Sequence, residues 1–157
     1  MPVTGLQKRA SSTKPGNGNG PGGQPSRAAV NRTSAPRRVL VVEDNLDTLR
    51  STTLLLREMG HEVDYAINGY AALEAARRFM PEVIILDLGL PGMDGFEFCR
   101  KLKKEEALKA VRIIAVTGYG QEEYRVRSRE AGCEAHLVKP ISPAVLQAII
   151  EESGSTH

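Results

Sequence analysis

The chain has 157 residues, of which 41% are hydrophobic and 25% charged, with a formal net charge of +2. These values are typical of one globular domain, and they exclude a membrane protein, because no apolar run approaches the ~20 residues of a membrane span. The N-terminus lacks the apolar segment of a secretory signal, and two cysteines are too few for a disulfide framework, which indicates a reducing, cytoplasmic location.

The first 36 residues differ in composition from the rest of the chain. They contain five prolines and six glycines and few large apolar side chains, so they cannot bury enough surface to offset the entropy of folding. Residues 1–38 carry seven of the 21 basic residues and no acid, which leaves 14 bases against 19 acids in the remainder. We predict a disordered, Gly/Pro-rich basic leader or linker at 1–36 and a folded domain at 37–153.

From residue 38 onward, short apolar runs alternate with segments of helical spacing. In chain order the patterns predict strand 39–42, helix 46–59, strand 62–67, a turn at 68–69, helix 70–79, strand 83–86, a loop at 90–93, helix 94–108, strand 111–116, helix 121–131, strand 135–138, and a helix from an N-cap at 142 to residue 152. Five strands alternating with five helices predict a doubly wound α/β fold, with a parallel sheet covered on both faces.

Polar residues follow four of the five predicted strands: Glu43 and Asp44, Asp87, Thr117 and Lys139. Ligands of doubly wound sheets bind outside the carboxyl ends of the strands, so we expect these side chains to lie together. Three clustered carboxylates are typical of a Mg²⁺ site. A carboxylate such as Asp87 can act as a nucleophile and form an acyl phosphate, while a hydroxyl and an ammonium suit phosphate oxygens.

This arrangement resembles the response-regulator receiver family over residues 38–152. The resemblance rests on Glu43-Asp44, Asp87, the Leu-Pro-Gly-Met-Asp-Gly segment at 90–95, Thr117-Gly118 and Lys139-Pro140. It implies a flavodoxin-like sheet with strand order 2-1-3-4-5. It also implies a phosphorelay function, in which Asp87 accepts a phosphoryl group from a sensor histidine kinase or a histidine phosphotransfer protein.

The resemblance further implies how a metal ion is held. Asp44 and Asp87 would ligate Mg²⁺ directly, together with the backbone carbonyl of Gly89, while Glu43 would act through water. A cis peptide bond between Lys139 and Pro140 is also implied, and proline makes such a bond inexpensive.

Two residues are expected to transmit the signal. The resemblance implies that Thr117 moves toward the phosphoryl group and changes the surface of the fourth helix, fifth strand and fifth helix, where a downstream protein would bind. The family usually has an aromatic residue at the position of His136, so this histidine is a candidate switch residue. A purely structural histidine is an equally good interpretation, and histidine can also titrate near neutral pH.

Other residues are given simpler roles. We predict that His61 and His157 face solvent and that Cys99 and Cys133 pack on the sides of helices. Tyr119 is expected, through the resemblance, to shield the phosphoryl group from water.

Alternative functions remain open at this point. A Mg²⁺-dependent hydrolase with an aspartyl-phosphate intermediate is one, but hydrolases of the haloacid dehalogenase type need a second aspartate where this chain has Gly89. A phosphorylation-independent scaffold and the receiver of a hybrid kinase are two more. We expect a signalling receiver rather than an enzyme, with no output domain and no DNA-binding domain, because only five residues follow the last predicted helix.

Overall fold

A computed structural model describes residues 35–90, 92–118 and 122–152. Strands and helices alternate as predicted: β1 Arg38–Val42, α1 Leu46–Glu58, β2 Glu62–Ala66, α2 Gly69–Phe79, β3 Val83–Asp87, α3 Gly95–Lys103, β4 Arg112–Thr117, α4 Glu122–Glu130, β5 Ala135–Val138 and α5 Pro143–Glu151. The predicted leader lies outside the described residues except for its last two positions.

The five strands form one parallel sheet in the order β2-β1-β3-β4-β5. The predicted strand order is therefore confirmed. The central strands β1 and β3 are apolar almost throughout because helices cover both faces of the sheet. All carboxyl ends consequently meet at one edge, and the register pairs Val42 with Leu86, Asp87 with Val116, and Thr117 with Val138.

The sheet has a packed core on each face. Leu40 and Ile84 belong to a buried cluster with residues of α2 and α3, including the fully buried Phe98. Alternate strand residues point to the opposite face, where Ile85 lines a groove together with Leu146 of α5. Core packing on both faces fixes the strands, and with them the residues that follow the strand ends.

The predicted turn at residues 68–69 is instead the start of α2. The side chain of Asn68 caps this helix by accepting a hydrogen bond from the backbone N–H of Ala71 at 2.8 Å. Gly69 is then the first helical residue. An Asn-Gly pair suits both a turn and a helix N-terminus, and the cap decides between them because it satisfies a free backbone donor.

The third helix ends earlier than predicted, at Lys103 rather than at residue 108. Beyond it, backbone hydrogen bonds connect residues three apart, among them Leu108 to Glu105 and Val111 to Leu108. These tighter turns place Leu108 in the core at 2% exposure, although it is not helical. The ammonium of Lys103 donates to the carbonyl of Lys109 at 3.1 Å and to that of Val111 at 2.6 Å, which satisfies two backbone acceptors of this non-helical segment.

The prediction for His61 is wrong: this side chain is buried, with 5% exposure. Its Nδ1 accepts a hydrogen bond from the backbone N–H of Arg37 at 3.1 Å. Burial lowers the pKa of His61, and the positive charge of Arg37 lowers it further. The folded protein therefore favours the neutral imidazole. His157 lies outside the described residues.

We expect this buried histidine to make the fold less stable in mild acid. Because its pKa is depressed on folding, its contribution is present above the unfolded pKa of about 6.5 and is lost as pH falls toward the folded value. The loss is at most about 1.4 kcal/mol per pH unit. In His61→Gln, which keeps an acceptor, urea denaturation at pH 7.5 and 5.5 should show a smaller difference in unfolding free energy than in the parent. Equal differences would contradict this assignment.

Candidate functional site

Four strand ends place the site residues along one edge of the sheet. Glu43 follows β1, Asp87 ends β3, Thr117 ends β4 and Lys139 follows β5. The backbone N–H of Lys139 donates to the carbonyl of Thr117 at 2.8 Å, which continues the pairing of the last two strands. The peptide bond from Lys139 to Pro140 is cis, as the family resemblance implied.

Three carboxylates form the acidic part of the site. Glu43, Asp44 and Asp87 each offer an oxygen, and these oxygens lie within 4.8 Å of one another. Glu43 is buried, Asp87 half-buried and Asp44 exposed. A set of carboxylate oxygens with one ligand open to solvent fits Mg²⁺, which prefers oxygen ligands and retains several waters. The residues present therefore fit the predicted metal.

The loop after β3 helps to orient the carboxylate of Asp87. The backbone N–H of Gly89 donates to Oδ1 of Asp87 at 2.9 Å, while Oδ2 of Asp87 lies 3.4 Å from the ammonium of Lys139. Each carboxylate oxygen of Asp87 thus has a different hydrogen-bonding partner. This fixes the orientation of the carboxyl group at the sheet edge.

Lys139 joins two of the acids. Its Nζ donates to Oε1 of Glu43 at 2.9 Å as well as to Asp87. The second oxygen of Glu43 accepts from the backbone N–H of Asn45 at 3.1 Å. Glu43 is therefore held from both sides, and it positions the ammonium beside Asp87.

The pKa values of this pair reflect burial and neighbouring charge. Burial raises the pKa of Glu43, and the negative charge of Asp87 adds to the effect, although the hydrogen bonds from Lys139 and Asn45 oppose it. Burial lowers the pKa of Lys139, but the hydrogen bond to Glu43 and the charge of Asp87 outweigh it, so the pKa is raised overall. Ion pairing alone would lower the pKa of Glu43, and its burial is the stronger influence. Lys139 is consequently cationic near neutral pH.

A cavity of about 380 Å³ opens beside this site. Its walls come from α1, from the carboxyl ends of the central strands and from the segment that follows β5, and they include Leu55, Ile141 and Leu146. Glu43 and Asp87 line its polar end. The carboxylate of Asp87 can thus be approached from the side of α1 and α5.

The two predicted switch residues differ in their surroundings. Thr117 is buried, with 3% exposure. His136 is half-buried in β5 opposite Ala115, and within the described parts of the chain neither of its ring nitrogens has a hydrogen-bonding partner. Burial lowers the pKa of His136, as does the charge of Arg125. Tyr119 lies outside the described residues, so its shielding role stays a prediction.

Gly95 supports the site in a way that the sequence did not reveal. A Cβ at this position would lie 2.8 Å from the backbone Cα of Leu88 and 2.8 Å from its Cδ2. Leu88 directly follows Asp87, and its N–H bonds the carbonyl of Val116 at 3.0 Å. Only a glycine lets α3 begin this close to the loop that follows Asp87. A glycine beside an N-cap aspartate was the signal available in the sequence.

Comparisons with known proteins identify the class. The response regulator receiver domain model matches residues 39–151. The polar-differentiation response regulator DivK of Brucella anthropi is 36% identical over 115 residues, which are 73% of this chain and 94% of DivK. The chemotaxis response regulator CheY4 of Vibrio cholerae has 29% identity and a TM-score of 0.71, over 75% of this chain and 98% of CheY4.

A third similar protein contains a metal. The receiver domain of the sensor histidine kinase PA1611 from Pseudomonas aeruginosa has 31% identity and a TM-score of 0.70, over 76% of this chain and 98% of that domain. Its structure has a magnesium ion coordinated in the active-site cleft.

The chain belongs to the response regulator receiver domain family. It is a signalling receiver domain of a two-component system rather than a conventional enzyme, similar to DivK and to CheY-like regulators. Receiver domains of this type interact with histidine kinases and with downstream targets. Within the described ranges, no helix has the length and apolar character needed to span a membrane.

The close approach of Gly95 in α3 to Leu88 yields a prediction about the stability of the fold. Gly95→Ala should destabilise the fold by about 1–3 kcal/mol, because the new methyl group overlaps backbone atoms that cannot move freely. Gly118→Ala is the matched control, since a Cβ there would meet nothing within 4 Å, and a change of under about 0.5 kcal/mol is expected. Denaturant midpoints of the two variants measure the difference, and equal midpoints would show that the contact can be relieved.

Proposed function

We propose that Asp87 accepts a phosphoryl group from the phosphohistidine of a partner kinase or phosphotransfer protein. An oxygen of Asp87 attacks phosphorus, an O–P bond forms, and the P–N bond breaks as the imidazole leaves with its electron pair. The main support is the position of the Asp87 carboxylate, which lies 3.4 Å from the Lys139 ammonium and within 4.8 Å of two further carboxylates.

Mg²⁺ is the proposed cofactor, held by Asp44, Asp87 and the backbone carbonyl of Gly89, with Glu43 acting through water. The oxygen-only donor set and the magnesium-containing receiver domain of PA1611 support this choice. When bound, the ion offsets negative charge on the acceptor and on the incoming phosphoryl oxygens.

Lys139 is proposed to bind the phosphoryl group. Its ammonium bonds Glu43 and Asp87, and a phosphoryl oxygen beside Asp87 would be a third anionic partner within its reach. The ammonium of Lys139 has three N–H donors, so it can donate a hydrogen bond to the phosphoryl group while it keeps its hydrogen bond to Glu43. The hydroxyl of Thr117 is the second proposed donor.

The phosphorylated form is proposed to bind its target through α4, β5 and α5. Thr117 ends β4 beside β5, and His136 lies in β5 itself. A shift of Thr117 toward the phosphoryl group would change the packing of this face, which is a local charge event acting on a two-state element. Slow self-dephosphorylation then ends the signal. We place this phosphorelay in the cytoplasm, in agreement with the two free thiols.

We propose that residues 1–36 are a separate leader and that the receiver domain spans 37–153. The contacts at the start of the domain support the boundary. The carbonyl of Arg37 accepts from the N–H of Glu62, and the guanidinium of Arg38 donates to the carbonyl of Met80 at 2.8 Å. Arg37 and Arg38 therefore belong to the fold, although their basic character resembles that of the leader.

Replacing the acceptor should abolish phosphoryl uptake. Asp87→Asn removes the anionic nucleophile, so incubation with Mg²⁺ and acetyl phosphate should give no gain of about 80 Da in the intact mass. Asp94→Asn is the matched control, because Asp94 caps α3 through the N–H of Glu97 and asparagine caps equally well. It should gain the adduct like the parent. An adduct of parental yield on Asp87→Asn would refute the proposal.

Removing a metal ligand should abolish the stabilisation by Mg²⁺. We expect Mg²⁺ to raise the melting temperature of the parent and to leave that of Asp44→Ala almost unchanged. Without Mg²⁺ the variant should be the more stable protein, because carboxylate repulsion is relieved. Asp47→Ala, in the first turn of α1, is the control and should respond to Mg²⁺ as the parent does. Equal metal-induced shifts in Asp44→Ala and the parent would exclude Asp44 as a ligand.

Deleting the leader should leave the receiver intact. A chain that begins at Arg37 should match the full chain in melting temperature and phosphorylation rate. A chain that begins at Val39 is the comparison, and it should melt several degrees lower because it lacks the contacts of Arg37 and Arg38. If the chain that begins at Arg37 loses stability or rate, residues 1–36 contribute to the domain.

A further inference from the structure

The two cysteines contact each other in the core. The sulfurs of Cys99 and Cys133 lie 3.2 Å apart, although the residues are 34 positions apart in sequence. Both are free thiols, with 0% and 5% exposure respectively. Cys99 packs from α3 as predicted, whereas Cys133 lies between α4 and β5 and not on a helix. The phosphorelay chemistry uses neither residue.

On the side of Cys133, this contact lies three residues after the end of α4. The N–H of Cys133 donates to the carbonyl of Ser128 at 2.9 Å, and Gly132 turns the chain with a φ of 109°. The separation of the sulfurs exceeds a disulfide bond length by only about 1 Å. A modest side-chain movement therefore suffices to join α3 covalently to the exit of α4.

The α4 helix has few other anchors. Of its residues only Ser128 is buried. It also contacts α3 through a stacked ring pair, Phe96 and Tyr124 with centroids 6.3 Å apart, and through the guanidinium of Arg127, 4.0 Å above the Phe96 ring. A covalent bond at the exit of α4 would thus restrain this helix more than a helix with a large buried face.

The surroundings favour reaction at Cys133. The hydrogen bond between the two sulfurs lowers the pKa of Cys133, and the charge of Lys103 lowers it further, against the effect of burial. The stem of Lys103 packs on Gly132, where an added Cβ would lie 3.0 Å from its Cγ. Cys99 is the resolving partner, because its pKa is raised by its hydrogen bond to Cys133 and by burial. A cysteine whose pKa is lowered by a nearby lysine is more readily oxidised than an ordinary thiol.

We propose that Cys99 and Cys133 are a redox-active pair that a peroxide converts into an intramolecular disulfide, restraining α4. The Cys133 thiolate attacks one peroxide oxygen, an S–O bond forms, the O–O bond breaks, and water leaves after protonation. Cys99 sulfur then attacks the sulfur of Cys133, the S–S bond forms, and the S–O bond breaks. The second oxygen leaves as water with the thiol proton of Cys99. Two thiols lose two electrons and two protons to the peroxide.

Oxidation of the cysteine pair would be a second signal that acts on the proposed target-binding face of α4, β5 and α5. The chemistry does not depend on Asp87, so it stands apart from the proposed phosphoryl transfer. Only its effect on target binding rests on that function. Reduction of the disulfide by a dithiol restores both thiols.

Oxidation of the full-length chain with hydrogen peroxide tests the proposal. The monomer should lose about 2 Da, the mass of two hydrogens, and should take up no thiol reagent after denaturation until dithiothreitol is added. Asp87→Asn should form the bond at the parent rate. A protein that keeps two labelled thiols, or that forms a disulfide between two chains, would overturn the proposal.

Variants and amide exchange test the role of the bond. Cys99→Ala and Cys133→Ala should each keep one thiol and form no bond, and Lys103→Met, which keeps the stem, should oxidise more slowly than the parent. In the oxidised parent, amide hydrogens of residues 124–133 should exchange several-fold more slowly than in the reduced protein. Unchanged exchange in fully oxidised protein would refute the restraint of α4, and parental oxidation of Lys103→Met would refute activation by Lys103.

Discussion

The ammonium of Lys139 lies between two carboxylates, 2.9 Å from Glu43 and 3.4 Å from Asp87, and the site depends on this ion pair. Three acids whose oxygens fall within 4.8 Å repel one another. They stay together because strand ends fix their backbones and because Lys139 supplies an opposing charge. Glu43 cannot turn away easily, since its second oxygen accepts from the N–H of Asn45.

One ammonium does not balance three carboxylates, and this imbalance gives the proposed function its physical basis. The remaining negative charge would attract a divalent cation, and the exposed position of Asp44 would leave that cation accessible to water. A phosphoryl group would bring further negative charge to Asp87, which only a site already holding cations can accept. Lys139 offsets part of this charge, and a bound metal ion would offset more of it. The buried Thr117 is the neighbour through which the change would reach β5.

The sequence predicted that the acidic residues lie together, because Glu43 and Asp87 each directly follow a strand that an apolar run reveals. Asp87 comes after four buried aliphatic residues, and the parallel sheet brings all such positions to one edge. The features that it did not predict depend on contacts between distant segments. His61 is buried and accepts a hydrogen bond from Arg37, 24 residues away. The contact between Cys99 and Cys133 does not follow from local spacing. Nor does the early end of α3 at Lys103, after which Leu108 packs in the core without being helical.

The most direct test of the account is to locate the phosphoryl group. After incubation with Mg²⁺ and acetyl phosphate, borohydride reduces an aspartyl phosphate to homoserine, and tandem mass spectrometry of the peptides identifies the converted residue. The account predicts homoserine at position 87 alone, and none when Mg²⁺ is chelated beforehand. Conversion at Glu43, Asp44 or Asp94, or at position 87 to the same extent without Mg²⁺, would contradict it.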